Sequence, residues 1–241
     1  MNNYKKLAIS AGILFIIYDF VDILSFLFLG PVNSTNYLVS VSENASLVGT
    51  GAFLLLIGGA CASVIASTLY PVLKRSDPVL ALGAVGFRIT EGALRFVSVS
   101  FIFGMITLSR LFVKAGAPDS SYFQTLGEWL LAGKGWVSHV GSLLAFSIGC
   151  SLYYIIFYRT KLVPRWISLW GLVTGISGIV SCALVSTGLI APGGTEQVIM
   201  IFPMLPQELV LAVWLIVKGF DPSAVAALSA KTATNGQWSA A

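Results

Sequence analysis

Charge is what this sequence has least of. Asp, Glu, Lys and Arg make up only 10% of its 241 residues, against 56% hydrophobic residues and a mean hydropathy of +0.88. So little charge cannot keep a folded domain of this size in water, which excludes a soluble enzyme or binding module. Histidine occurs once, at His139, and this removes bis-histidine haem proteins and His-rich metallohydrolases. Cys61, Cys150 and Cys182 all lie in apolar runs and form no Cys-x-x-Cys pair, so they read as small buried side chains rather than a disulfide or zinc framework. There is no Walker loop, Gly-x-Ser-x-Gly elbow, His-Glu-x-x-His or acidic metal cluster. No cofactor, metal or catalytic residue is therefore assigned.

What the chain has in quantity is apolar sequence, in runs long enough to cross a bilayer. A hydrocarbon core of about 30 Å needs about 20 apolar residues as a helix. Six such runs can be drawn: Leu7–Gly30, Leu47–Tyr70, Val79–Val113, Trp136–Tyr158, Trp166–Ile190 and Val198–Val217. The first follows Lys5 and Lys6 as a signal-peptide core would. It continues to Leu29 with no small-x-small cleavage site before Pro31, and is read as a retained helix. The expected fold class is all-α, an integral membrane helical bundle of six transmembrane helices. Residues 1–220 form a single polytopic membrane domain and residues 221–241 a short disordered cytoplasmic tail rich in Ala, Ser and Thr. The third run exceeds a bilayer's need and must tilt, project or bend near Gly104. Tyr122–Leu131 reads either as an amphipathic surface helix, with Phe123, Leu126, Trp129 and Leu130 on one side, or as a re-entrant or capping segment.

The net charge of +4 sits in ones and twos at the ends of these runs, without an aromatic-laced basic face, so no nucleic-acid partner is implied. It reports orientation instead. Lys5, Lys6, Lys74, Arg75, Arg159, Lys161, Arg165, Lys218 and Lys231 fall on one side, and Arg110, Lys114 and Lys134 on the other. The side richer in Lys and Arg is the inner one, so both termini are expected in the cytoplasm.

Against this background a few residues do not belong in lipid: Asp19 and Asp22 in the first run, Arg88, Glu91 and Arg95 in the third, and Glu208 in the sixth. Each costs about 2.5–3.5 kcal/mol at the bilayer centre on insertion scales, so they must be paired, hydrated or neutralised by protonation. Arg88 and Glu91 are i,i+3 and Glu91 and Arg95 are i,i+4, which puts all three on one helical face. An interhelical network among the first, third and sixth helices follows. It is either glue that sets helix register or the lining of a polar site for a solute, ion or proton. Pro203 and Pro206, just before Glu208, are expected to break the sixth helix and free carbonyls there. Gly171, Gly175 and Gly178 suit close helix contact.

Several stretches carry a resemblance. These are Tyr70-Pro71-Val72-Leu73-Lys74-Arg75; Gly86-Phe87-Arg88 with Glu91-Gly92; Leu162-Val163-Pro164-Arg165-Trp166 running to Trp170-Gly171; and Gln207-Glu208 running to Trp214-Leu215-Ile216-Val217-Lys218-Gly219-Phe220. With these the chain resembles the bacterial multi-pass membrane proteins grouped as domain of unknown function family 4386. The resemblance implies a location in the bacterial cytoplasmic membrane and draws Arg88, Glu91, Gln207 and Glu208 into the pattern; Asp19, Asp22 and Arg95 stand outside it. The expected partner is the lipid bilayer, with a small solute, ion or lipid-like molecule as ligand. The leading reading is a carrier or binding protein with a polar site at the membrane midplane. The alternatives are a structural or regulatory membrane subunit whose charges only hold the helices together, and a membrane-embedded enzyme.

Overall fold

Lipid offers a backbone no hydrogen-bond partner, so an apolar run must satisfy its own N–H and C=O groups, and helix is the way a single segment does so. The computed structural model describes residues 3–118 and 122–238, and among them it contains helices and turns but no strand. In chain order the helices are α1 (Asn3–Phe28), α2 (Tyr37–Glu43), α3 (Ala45–Leu73), α4 (Pro78–Lys114), α5 (Tyr122–Trp136), α6 (Leu143–Thr160), α7 (Arg165–Ser186), α8 (Thr195–Ile201), α9 (Met204–Val217) and α10 (Pro222–Trp238). Six stretches are long and apolar enough to cross a membrane: α1, α3, α4, α5 with α6, α7, and α8 with α9. The protein is thus a multi-pass helical membrane bundle.

The crossing helices form a ring in chain order. α1 packs on α3, α3 on α4, α4 on α6, α6 on α7 and α7 on α9, and α9 closes the ring against α1. Small residues set the closest approaches. A side chain on Gly92 of α4 would stand 2.5 Å from the Gly59 carbonyl of α3, and one on Gly12 of α1 would stand 2.7 Å from the Ala212 carbonyl of α9. On α7, Gly171 lies against the Tyr154 ring, and Gly175 and Gly178 against Ser151 and Ser147 of α6. Both ends of the described chain reach the same end of the bundle, where the Tyr4 hydroxyl is 3.4 Å from that of Ser229.

α4 runs unbroken for 37 residues, a length of about 55 Å against a hydrocarbon core of about 30 Å. No break interrupts it at Gly104. Its C-terminal half is clothed by a second apolar core, in which Leu29, Val32, Leu38, Val41, Phe112 and Phe123 are buried. α2 and the 3-10 turn Gly30–Asn33, where the sequence suggests only a loop, supply three of those six. α5 is neither a separate surface helix nor a re-entrant segment. Phe123 and Gly127 are buried against the rest of the bundle, and the helix continues through a π-helical turn at Val137–Ser142 into α6. The wider turn exposes backbone acceptors, and Gln197 donates to the His139 carbonyl at 2.8 Å.

Residues 222–238 are helical, where the sequence suggests a disordered tail. Asp221 caps α10, its Oδ1 accepting from the N–H groups of Ser223 at 2.9 Å and Ala224 at 3.0 Å. The Ser223 hydroxyl and these N–H groups hold the Asp221 carboxyl below its ordinary range. An alanine-rich sequence favours helix once capped, and Ala224, Val225 and Leu228 bury themselves on the main core.

Candidate functional site

The ionisable residues of the spans converge inside the ring, where Asp19, Arg88, Glu91 and Glu208 are all buried. α1 brings Tyr18, Asp19 and Asp22, α4 brings Arg88, Glu91 and Arg95, α6 brings Tyr153, and α9 brings Gln207 and Glu208. On α4 the i,i+3 and i,i+4 spacings hold: Arg88 Nη1 is 2.8 Å from Glu91 Oε2, and Arg95 Nη2 is 3.1 Å from Glu91 Oε1.

One half of the cluster is fully partnered. Arg95 Nη1 donates to Asp22 Oδ1 at 2.6 Å and its Nε donates to Glu91 Oε1 at 3.1 Å. Tyr18 completes this half: its hydroxyl donates to Glu91 Oε1 at 2.7 Å and accepts from Arg95 Nη2. The Tyr18 ring lies between the two guanidinium groups, 5.0 Å from that of Arg88 and 4.8 Å from that of Arg95. This side also reaches the edge of the bundle, with the Asp22 side chain 30% exposed and that of Arg95 14%.

The other half is buried and underpartnered. Arg88 touches Glu91 charge to charge but off the line a hydrogen bond needs, so none of its three guanidinium nitrogens has a hydrogen-bond acceptor among the described residues. Its guanidinium instead stands 4.8 Å from the Phe146 ring centroid, and Gly149 leaves room for its stem, a Cβ there falling 3.2 Å from Arg88 Cγ. Asp19 Oδ2, Glu91 Oε2, Glu208 Oε1, Ser147 Oγ and Tyr153 OH are likewise buried without a hydrogen-bond partner among the described residues. The Asp19 and Glu208 carboxyl groups lie within hydrogen-bonding reach of one another. Neither has a cation within ion-pair distance among the described residues.

Gln207 does something else: it accepts from the Tyr154 hydroxyl at 2.7 Å and donates to the Ile167 carbonyl at 3.4 Å, bracing α9 to α6 and α7. The break in the sixth span falls at Phe202–Pro203, between α8 and α9, with Pro206 in the first turn of α9 where a missing N–H costs no helical bond. The Met200 carbonyl near the break does not face Glu208. It accepts from the Ser177 hydroxyl of α7 at 2.8 Å.

Sequence reasoning passed over Tyr18, Tyr153 and Ser147, which look like ordinary span residues. For Tyr18 a signal existed, because it is i,i+4 from Asp22 and so shares the face that meets Arg95. Among the described residues no group of three or more His, Cys, Asp or Glu side chains is arranged to hold a metal ion.

Among known families, the model of the domain of unknown function DUF4386 matches residues 10–219, a stretch that contains every residue of the cluster. No curated protein and no solved structure matches the chain.

Proposed function

The chain belongs to the family of the domain of unknown function DUF4386, and from its buried charges we propose a carrier or binding protein whose polar site is the underpartnered half of the cluster. Arg88, Asp19, Glu208 and Tyr153 are the groups that meet the ligand, a small solute with anionic or hydrogen-bonding groups, or a proton. Arg95, Asp22, Glu91 and Tyr18 hold the frame. The observation that supports this reading is the concentration of orphaned donors and acceptors on one side of the cluster. Buried polar groups are partnered in nearly all proteins, because each orphan costs roughly 1–3 kcal/mol. Glue has no reason to leave a guanidinium without an acceptor, whereas a site waiting for a ligand does.

The acid pair adds a proton to the picture. Two carboxyl groups within hydrogen-bonding reach of one another, neither in an ion pair, are stable in a dry interior when a proton lies between them. Thermal stability of the purified protein, measured against a panel of small carboxylates, phosphates and amino acids, tests the site. A ligand that stabilises the wild type and fails to stabilise Glu208→Gln and Arg88→Gln, with both variants folded, supports it. Glu208→Gln and Arg88→Gln proteins that respond to every effective compound as the wild type does would end it.

A further inference from the structure

A second site lies at the end of the bundle that holds both described chain ends, away from the buried cluster and independent of it. There the turn between α6 and α7 meets the turn between α9 and α10 around a cleft of about 560 Å³. Lys161, Arg165 and Lys218 line it together with Val163, Trp214 and Phe220. The frame is fixed: Asp221 N–H donates to the Leu162 carbonyl at 2.9 Å, tying the two turns, and Lys161 holds a left-handed conformation (φ 60°) that ends α6 and turns the chain. The acid in the lining, Asp221, caps α10 through Oδ1, and its single negative charge leaves the lining cationic against Lys161, Arg165 and Lys218. Lys161 and Lys218 are exposed and have no ion-pair partner among the described residues, and the Arg165 guanidinium rests 5.3 Å from the Tyr158 ring centroid.

We propose that this cleft binds the phosphate-bearing headgroup of an anionic membrane lipid. Three cations, Lys161 and Arg165 from one turn and Lys218 from the other, line a concave site whose wall is largely apolar, and this suits a phosphate attached to an apolar body. A lipid rather than free phosphate is favoured by what leads away from the cleft. Leu169 and Val173 on α7 are 53% and 58% exposed, and Val213 and Val217 on α9 are 53% and 64% exposed, offering acyl chains an apolar surface toward mid-membrane. Trp166, 55% exposed at the start of α7, sits at the level where indole rings meet headgroups.

The test uses the full chain, delipidated in detergent and titrated separately with dioleoylphosphatidylglycerol, dioleoylphosphatidylcholine and inorganic phosphate. Melting temperature is followed and bound lipid counted by native mass spectrometry. The expected result is saturable stabilisation by phosphatidylglycerol at lower concentration than by phosphatidylcholine, with none from inorganic phosphate. Lys161→Gln with Lys218→Gln should raise the half-saturating phosphatidylglycerol concentration on the order of tenfold, and Lys114→Gln at the opposite end should not change it. Equal response to the two lipids, or a double variant that responds as the wild type does, overturns the proposal. Stabilisation by inorganic phosphate alone overturns the lipid assignment. Should the double variant not fold, Lys218→Gln alone reads the same effect with a smaller shift.

Discussion

Arg88 and Arg95 stand seven residues apart on one face of α4 and have opposite situations. Arg95 is bonded to an acid on each of two helices and to a tyrosine, while Arg88 has Glu91 as its one ion-pair partner and aims no nitrogen at an acceptor among the described residues. Removing one partner of a buried pair leaves a lone charge, at a cost of roughly 3–5 kcal/mol, whereas replacing both with apolar groups is often neutral. Arg88→Leu or Glu91→Leu alone should therefore lower stability by several kcal/mol, with the double variant falling less than the sum. A double-mutant cycle in detergent measures this, and additive losses would mean that Arg88 and Glu91 do not compensate one another. Spacing along α4 made the Arg88–Glu91–Arg95 face readable from sequence, because a helix fixes its own i,i+3 and i,i+4 neighbours. The division of the cluster into a bonded and an underbonded half was not readable. It depends on where Tyr18 and Tyr153 arrive from other helices, and a tyrosine inside an apolar run carries no mark of its hydroxyl's destination.

The helices themselves show which sequence signals survive folding and which do not. Hydropathy and length located five of the six crossings to within a few residues, since the bilayer imposes one requirement on all of them, while the fourth stretch begins at Tyr122 rather than at Trp136 because α5 runs on into α6. Shorter elements escaped: α2 and α10 are made by burial of Leu38 and Val41, and of Val225 and Leu228, against surfaces that exist only once the bundle is formed. The unbroken course of α4 past Gly104 likewise follows from α2 and α5 covering its C-terminal half. The glycines of α4 give this scale its prediction. A Cβ on Gly92 would meet the Gly59 backbone carbonyl at 2.5 Å, and one on Gly86 would meet nothing within 4 Å. Gly92→Ala should push α3 and α4 apart and destabilise by about 1–3 kcal/mol or more. Gly86→Ala should be neutral or stabilise by up to about 1 kcal/mol, the helix-propensity gain. Melting temperatures of the two variants should move in different directions or by clearly different amounts; equal losses would show that the α3–α4 crossing is looser than its geometry.

At the scale of the whole molecule, six crossings and the meeting of Tyr4 with Ser229 put the described chain ends at one end of the bundle. Which side of the membrane that end faces rests on charge. Lys5, Lys6, Lys74, Arg75, Arg159, Lys161, Arg165 and Lys218 precede or follow the spans at this end, while the opposite end has Arg110, Lys114 and Lys134. Short loops rich in Lys and Arg are retained in the cytoplasm during insertion, so we propose that the chain ends and the lipid cleft face inward. The loops at residues 31–46 and 191–197, which contain no Lys or Arg, then face outward. Reporter fusions after Arg75, after Arg165 and at the last residue should give cytoplasmic signals, and fusions after Asn36 and Gly194 external ones. Reversing all five signals would leave the bundle as it is and turn it over in the membrane. A carboxyl terminus reporting opposite to the fusions after Arg75 and Arg165 would instead contradict six crossings.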